Sequence, residues 1–113
     1  MPIQCDEYDR VAVLTVEGDL EGGQVAQARE AVRSMIDDRH VVDVVVDLAR
    51  CPFVSGEGLE LFLWVKRRAE ELFGRVKLAG CDDTVLKILE MTRLRSRFEC
   101  VHEVEAAVRQ MRA

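Results

Sequence analysis

The sequence lacks the marks of a membrane-spanning or secreted protein. Its longest uninterrupted apolar run is five residues, at positions 61–65, whereas a membrane-spanning helix needs about 20. The first ten residues include three acids and lack the apolar segment of a signal peptide. We therefore expect a cytoplasmic protein that does not insert into a membrane.

The cysteines lack the spacing of a metal site. None of the four (Cys5, Cys51, Cys81 and Cys100) forms a CxxC or CxxH pair, as zinc ligands usually do. Without a secretion signal, a disulfide framework is not expected either. We predict reduced, partly buried thiols at strand ends, with a redox role as the alternative. Because Cys51 and Cys81 each follow a predicted strand, they are candidates for close neighbours.

Aromatic residues and catalytic motifs are also scarce. The six aromatics and the net charge of −5 disfavour binding to a phosphate backbone. Arg93, Arg95 and Arg97 form a basic stretch without stacking aromatics, which indicates a solvated turn rather than a nucleic-acid site. His40 and His102 accompany no nucleophile motif, and no GxSxG, P-loop, HExxH or dinucleotide-binding pattern occurs. We expect no nucleic-acid partner, no cofactor and no enzyme activity.

Acidic residues are concentrated in the first half of the chain. Residues 1–56 carry eleven acids and five bases, whereas residues 57–113 carry ten acids and eleven bases. This asymmetry is typical of a domain with one acidic surface, although an ordinary solvated surface has the same signature.

Strand and helix patterns alternate along the chain. β-branched segments predict strands, and apolar residues spaced three or four apart predict helices. Asp82 is a candidate helix N-cap, and Gly74 stands where a helix C-cap belongs. The predicted strands are 3–8, 11–17, 41–48, 75–79 and 98–101, and the predicted helices are 22–36, 58–73, 82–91 and 104–111.

The element order β-β-α-β-α-β-α-β-α predicts a single α/β domain over residues 1–113. The first two strands can pair as a hairpin through Asp9-Arg10, and the later strands become parallel through right-handed crossovers. Strand 41–48 is apolar on one face, but Asp43 and Asp47 interrupt the other. We expect an open, mostly parallel sheet with one antiparallel N-terminal strand and helices mainly on one face.

Two loops at carboxyl strand ends are the candidate functional positions, because open α/β sheets bind ligands and partners there. The first loop, residues 51–58, is called the Ser55 loop. Ser55 can cap a helix by accepting the amide of Glu57 or Gly58, and Gly56 and Gly58 leave the turn uncrowded. The second loop is 80–84, one crossover later, and we expect it beside the first.

Several short motifs resemble the STAS domain, which occurs in bacterial anti-sigma factor antagonists and at the end of sulfate transporters. The resemblance covers nearly the whole chain, and the predicted element order matches. Its marks are Gly18-Asp19-Leu20, the strand ending in Asp47-Leu48, Phe53, Gly58-Leu59, Gly74-Arg75 and the Leu-x-Met-Thr-x-Leu segment at 89–94.

The resemblance implies a regulatory position at Glu57. In this family the loop usually has the sequence Asp-Ser-Ser-Gly-Leu. A partner that is both serine kinase and anti-sigma factor phosphorylates the second Ser, and this breaks the complex. Here Ser55, Gly56 and Glu57 occupy the first three positions, and Gly58-Leu59 is intact. Glu57 is then either a constant mimic of the phosphate or a helix-cap residue with no switching role.

The resemblance also implies a partner-facing surface around this loop and the following helix. Trp64, the only Trp, is either an exposed interface anchor or a half-buried residue on the helix flank. The candidate contact residues are Leu59, Glu60, Leu61, Trp64, Lys66, Arg67, Asp82, Asp83 and Thr84.

The leading hypothesis is a regulatory domain that binds an anti-sigma factor resembling a serine kinase in a partner-switching pathway. One alternative is an accessory subunit of a membrane transport system, and another is a small-ligand sensor using the same strand ends. The pattern does not specify an oligomeric state or a particular sigma factor.

Overall fold

Strands and helices alternate in the structure, a computed structural model that describes residues 2–112. The expected domain 1–113 also includes Met1 and Ala113, which lie outside the described residues. The strands are β1 (Ile3–Tyr8), β2 (Val11–Glu17), β3 (Asp43–Arg50), β4 (Val76–Ala79) and β5 (Glu99–Val101). The α-helices are α1 (Gly23–Arg33), α2 (Gly56–Glu71), α3 (Asp83–Met91) and α4 (Val104–Arg112). A π-helical turn (Ser34–Asp38) extends α1, and a 3-10 turn (Arg95–Arg97) precedes β5.

The strands form one sheet in the order β1-β2-β3-β4-β5. β1 pairs with β2 antiparallel, and every other pairing is parallel. Asp9 and Arg10 join β1 to β2 with φ angles of 52° and 66°. Both angles are positive, as a two-residue type I′ hairpin turn requires. The predicted hairpin and the mostly parallel sheet are therefore confirmed.

The two sheet faces carry separate apolar cores, because side chains alternate between faces along each strand. Val44 and Val46 of β3 lie in the larger core together with buried residues of α1, α2 and α3. Val45, between them, lies in a smaller core under Ala107 and Met111 of α4. The expectation of helices mainly on one face is confirmed for α1–α3, and α4 covers part of the opposite face.

A buried lysine links α4 to the sheet. Lys77 of β4 is only 6% exposed. Its Nζ donates to a carboxylate oxygen of Glu99 on β5 and, over 2.9 Å, to Oε1 of Gln110 on α4. A buried charge is tolerated only when it is paired and hydrogen-bonded. This network therefore helps to set the position of α4.

The predicted C-cap of α2 is wrong in one detail. The residue with left-handed backbone is Phe73 (φ 63°), not Gly74. The Phe73 amide donates to the Glu70 carbonyl and the Gly74 amide donates to the Ala69 carbonyl, as in a Schellman motif. Gly74 meets a different requirement, because a Cβ there would lie 2.0 Å from the Val42 carbonyl oxygen.

The parallel pairing places the carboxyl ends of β2, β3 and β4 at one edge of the sheet. The loops that follow these strands contain the candidate functional residues. Among the residues that the structure describes, no helix combines the length and the apolar character needed to cross a membrane.

Candidate functional site

The Ser55 hydroxyl caps helix α2. Ser55 has extended backbone (φ −77°, ψ 173°), and its Oγ accepts a hydrogen bond from the Gly58 amide over 3.2 Å. Its carbonyl accepts the Leu59 amide at 2.9 Å. The cap predicted from the sequence is thus confirmed, with Gly58 as the donor. Helix α2 consequently begins at Gly56, two residues earlier than predicted.

Backbone bonds to Leu20 hold the Ser55 loop in place. The Leu20 amide donates to the Phe53 carbonyl over 2.9 Å, and the Ser55 amide donates to the Leu20 carbonyl over 3.0 Å. A Cβ on Gly58 would lie 2.6 Å from Val54 Cγ1 and 3.1 Å from the Leu20 carbonyl oxygen. Gly58 is therefore required by the chain's own packing. A Cβ on Gly56 would have no neighbour within 4 Å, so that part of the loop faces open space.

Glu57 projects from this supported turn into solvent. It is the second residue of α2 and is exposed. Helix N-termini carry a partial positive charge, so an acid here stabilises the helix by roughly 0.3–1 kcal/mol. The backbone at Glu57 is therefore held in place, and its negative side chain is exposed to a partner.

The second loop lies beside the first. Asp82 caps α3 through Oδ1, which accepts the Val85 amide over 2.9 Å, and Asp83 and Thr84 are exposed in the first turn. Burial raises the pKa of the Cys51 thiol, and the nearby carboxylates of Asp19 and Asp82 raise it further. Asp19 and Asp82 follow β2 and β4, the two strands beside β3, so they lie at the same end of the sheet as the Ser55 loop.

The STAS domain model matches residues 2–108. The chain belongs to the STAS domain family.

Three relatives illustrate the similarity of this STAS domain to known proteins. BtrV from Bordetella bronchiseptica, which is classed as an anti-sigma factor antagonist, is 23% identical over 107 residues, covering 95% of this chain and 91% of BtrV. The unphosphorylated form of the anti-sigma factor antagonist SpoIIAA superposes with a TM-score of 0.88 at 24% identity, over 97% and 96% of the two chains. A Ser-to-Glu variant of RsbS from Moorella thermoacetica superposes with a TM-score of 0.81 at 18% identity, over 99% of this chain and 96% of RsbS. SpoIIAA has also been solved in a phosphorylated form.

Several exposed acids lie at the same end of this STAS domain as Glu57. We call the loops at this end, with the exposed first turns of α2 and α3, the carboxyl-end surface. Phe53, two residues before Ser55, is 41% exposed and adds an aromatic side chain. Phe53 was not among the candidate contact residues, although its place in the same loop as the predicted cap Ser55 could have indicated it. The acids of the surface are Asp19, Glu57, Glu60, Asp82 and Asp83.

Trp64 is half-buried on the flank of α2, which supports the second of its two interpretations. Its ring packs against the larger core, and the Arg29 guanidinium of α1 lies 5.2 Å from the ring centroid. Such a cation–π contact holds the indole against the domain. Arg67 is exposed, whereas Lys66 is engaged in an ion pair with Glu70.

Leu61 was predicted to face a partner, and this is wrong. Its side chain is 0% exposed and lies in the larger core, and Leu59 is only 8% exposed. The sequence contains the signal, because Leu61, Val65 and Ala69 recur every four residues and so share one helix face. The inward face of α2 is wider than predicted.

Cys51 and Cys81 were expected to be near neighbours, and the strands that they follow, β3 and β4, are adjacent and parallel. The Cys51 thiol donates to the Phe53 carbonyl over 3.2 Å within its own loop. The neighbouring Cys100 thiol and burial both raise the pKa of the Cys81 thiol. Cys100 lies on β5, the neighbour of the strand that ends just before Cys81.

Proposed function

We propose that this STAS domain acts as an anti-sigma factor antagonist. It would bind an anti-sigma factor of the serine-kinase type through the carboxyl-end surface, as a cytoplasmic regulator without enzymatic activity. STAS domains are generally binding and regulatory modules, and the relatives BtrV and SpoIIAA are described as anti-sigma factor antagonists. The exposed Phe53 and the surrounding acids give this surface both an apolar contact and charge.

The observation that carries the proposal is the position of Glu57. The side chain occupies the site that the family pattern gives to the phosphorylated serine, and it is exposed at the second position of α2. Ser55 and Leu20 fix the backbone on either side of it. A negative group is therefore presented at a defined point on the carboxyl-end surface.

The chemistry of the carboxylate favours constant mimicry over switching. Glu57 carries a charge of −1 and two acceptor oxygens, whereas phosphoserine carries about −1.5 to −2 and three. A carboxylate does not form a stable phosphorylated product with a serine kinase. We therefore propose that Glu57 keeps the domain partly in the state that phosphorylation produces in its relatives, with weakened partner binding.

Binding measurements with substituted Glu57 test this role. The partner is the anti-sigma factor encoded in the same genome, and calorimetry gives its affinity. Glu57→Gln and Glu57→Ala should each tighten binding by at least about fivefold, the effect of removing roughly 1 kcal/mol of repulsion at an interface. Glu90→Gln is the control and should leave the affinity unchanged, since it removes one exposed charge from α3 outside the carboxyl-end surface. Equal affinities for wild type and both Glu57 variants would leave residue 57 with a helix-stabilising role alone.

Phosphorylation tests the loss of the switch. With ATP and the kinase, the Glu57→Ser variant should take phosphate on residue 57, whereas the wild-type loop should take none. Ser55 is the only hydroxyl in the wild-type loop, and it already caps α2. Phosphate on Ser55 of the wild-type protein would contradict the proposal.

The identity of the partner is tested by affinity capture from the native cell. An ATP-binding anti-sigma factor among the captured proteins is the expected result. Capture of permease or transport ATPase subunits, with no anti-sigma factor, would instead support the transport alternative.

A further inference from the structure

A groove lies on the second face of the sheet, between α4 and the hairpin of β1 and β2. Among the described helices, α4 alone contributes buried residues to the smaller core on this face. It leaves Tyr8, at the end of β1, 55% exposed. The groove beside Tyr8 has a volume of about 440 Å³, and sites for small molecules usually have about 300–1,000 Å³. The groove is therefore large enough for a small ligand.

Apolar side chains line much of this groove. Val13 of β2 lies on the sheet side, and Val104 and Val108 of α4 lie on the helix side. The two α4 valines are four residues apart and therefore share a helix face. Both are only partly buried, and the Tyr8 ring adds an exposed aromatic surface. Apolar surface therefore remains open to a ligand between α4 and β1.

The charged residues at the groove are acidic. Asp47 of β3 and Glu105 of α4 line it, and none of the described lining residues is basic. Asp6 of β1 adds a third carboxylate, because it stands opposite Val13 in the antiparallel register and therefore points to the same face. Within residues 2–112, none of these three carboxylates forms an ion pair. Their charge is therefore available to a cation.

The two lining carboxylates are held at the groove by backbone and helix position. Asp47 Oδ1 accepts the Ala49 amide over 3.0 Å, which orients the side chain and leaves its second oxygen to a ligand. Glu105 is exposed in the first turn of α4. Arg50 lies in the adjoining groove, but its charge is already paired with Glu17 over 3.6 Å.

We propose that this groove binds a small organic ammonium ion with an apolar body. The apolar body would pack against the valines and the Tyr8 ring, and the ammonium group would lie beside Asp47 and Glu105. A cation is attracted both to carboxylates and to the face of an aromatic ring, whereas the acids would repel an anion. None of the described lining residues belongs to the carboxyl-end surface, so the site is separate from the proposed function.

A titration of the full chain with protonated tryptamine tests the proposal. The indole ring is the apolar body of this probe, and the ammonium group is its charge. In amide correlation NMR spectra, we expect saturable shifts for Tyr8, Thr15, Asp47, Glu105 and Val108. The dissociation constant should lie below about 5 mM, as expected for a ligand of this size. Tryptophol, which has a hydroxyl in place of the ammonium group, should bind at least about fivefold more weakly.

Two substitutions remove one charge each and preserve the shape of the groove. Asp47→Asn keeps the Oδ1 atom that accepts the Ala49 amide, and Glu105→Gln changes an exposed residue, so both variants should fold. Each should weaken tryptamine binding at least about threefold, the effect of losing one exposed ion pair. Asp83→Asn is the matched control and should leave the affinity unchanged, because it removes one exposed acid from the carboxyl-end surface.

The inference depends on the location, the charge and the saturation of binding. Shifts that do not saturate by about 20 mM, shifts confined to amides outside the groove, equal affinities for tryptamine and tryptophol, or wild-type affinity in both acid variants would each overturn it. These measurements need no partner protein, so their failure is distinguishable from failure of the proposed function.

Discussion

Replacing Phe73 by Gly should stabilise the protein. Phe73 follows the end of α2 with φ 63°, a left-handed conformation in which the Cβ crowds the backbone. Its ring is 96% exposed, so little packing is lost when it is removed. Gly has no Cβ and adopts this conformation without strain.

The magnitude follows from two opposing terms. A non-glycine residue in the left-handed region costs about 1–2 kcal/mol. Gly also has more conformational freedom than Phe in the unfolded chain, which lowers the free energy of unfolding by roughly 0.5–1 kcal/mol and opposes the benefit. The net effect should be about 0.5–1 kcal/mol of added stability, or a Tm increase of about 2–4 °C for a domain of this size.

The control is Phe73→Ala, which removes the ring but keeps the Cβ and therefore the strain. Urea unfolding followed by circular dichroism gives the free energy for all three proteins. Phe73→Ala should stay within about 0.5 kcal/mol of wild type, and Phe73→Gly should exceed both. A Gly variant no more stable than the Ala variant would refute the assignment of strain to this residue.

Three other substitutions test the site and its support by the same unfolding assay. Gly58→Ala should destabilise the fold by more than about 1 kcal/mol because its new methyl has no room, whereas Gly56→Ala should be neutral or stabilising; equal effects would contradict the packing argument. Leu61→Ala should lower the free energy of unfolding by about 2–5 kcal/mol as a core truncation, and the neighbouring Glu60→Ala should lower it by less than about 0.5 kcal/mol. An equally small loss for Leu61→Ala would indicate that this leucine is exposed. Ser55→Ala should cost about 1 kcal/mol through the lost cap, and no loss would show that the hydroxyl bond contributes nothing.

Local signals predicted most elements well. Alternating β-branched residues and helix-spaced apolar residues are properties of the chain over a few turns, so they identify strands and helices without tertiary information. The caps at Ser55 and Asp82 were also predictable, because a short polar side chain before an apolar helix satisfies the first-turn amides. Helix α2 still begins and ends two residues earlier than predicted.

The cap of α2 shows where local signals fail. A glycine after a helix usually indicates a left-handed residue, yet Gly74 is needed for its close approach to Val42 and Phe73 takes the strained conformation. Only the packed structure shows which of the two requirements applies to a given glycine.

The chain by itself determined the element order, the mostly parallel sheet and the loop in which Glu57 follows a helix cap. These depend on propensity, periodicity and the handedness of crossovers, all of which are encoded locally. Tertiary structure alone decided that α4 covers the second face of the sheet, because α4 does not connect two of the described strands and crossover handedness therefore does not place it. It also placed Cys100 of β5 opposite Leu78 of β4, since the pairing of residues from separate strands depends on register.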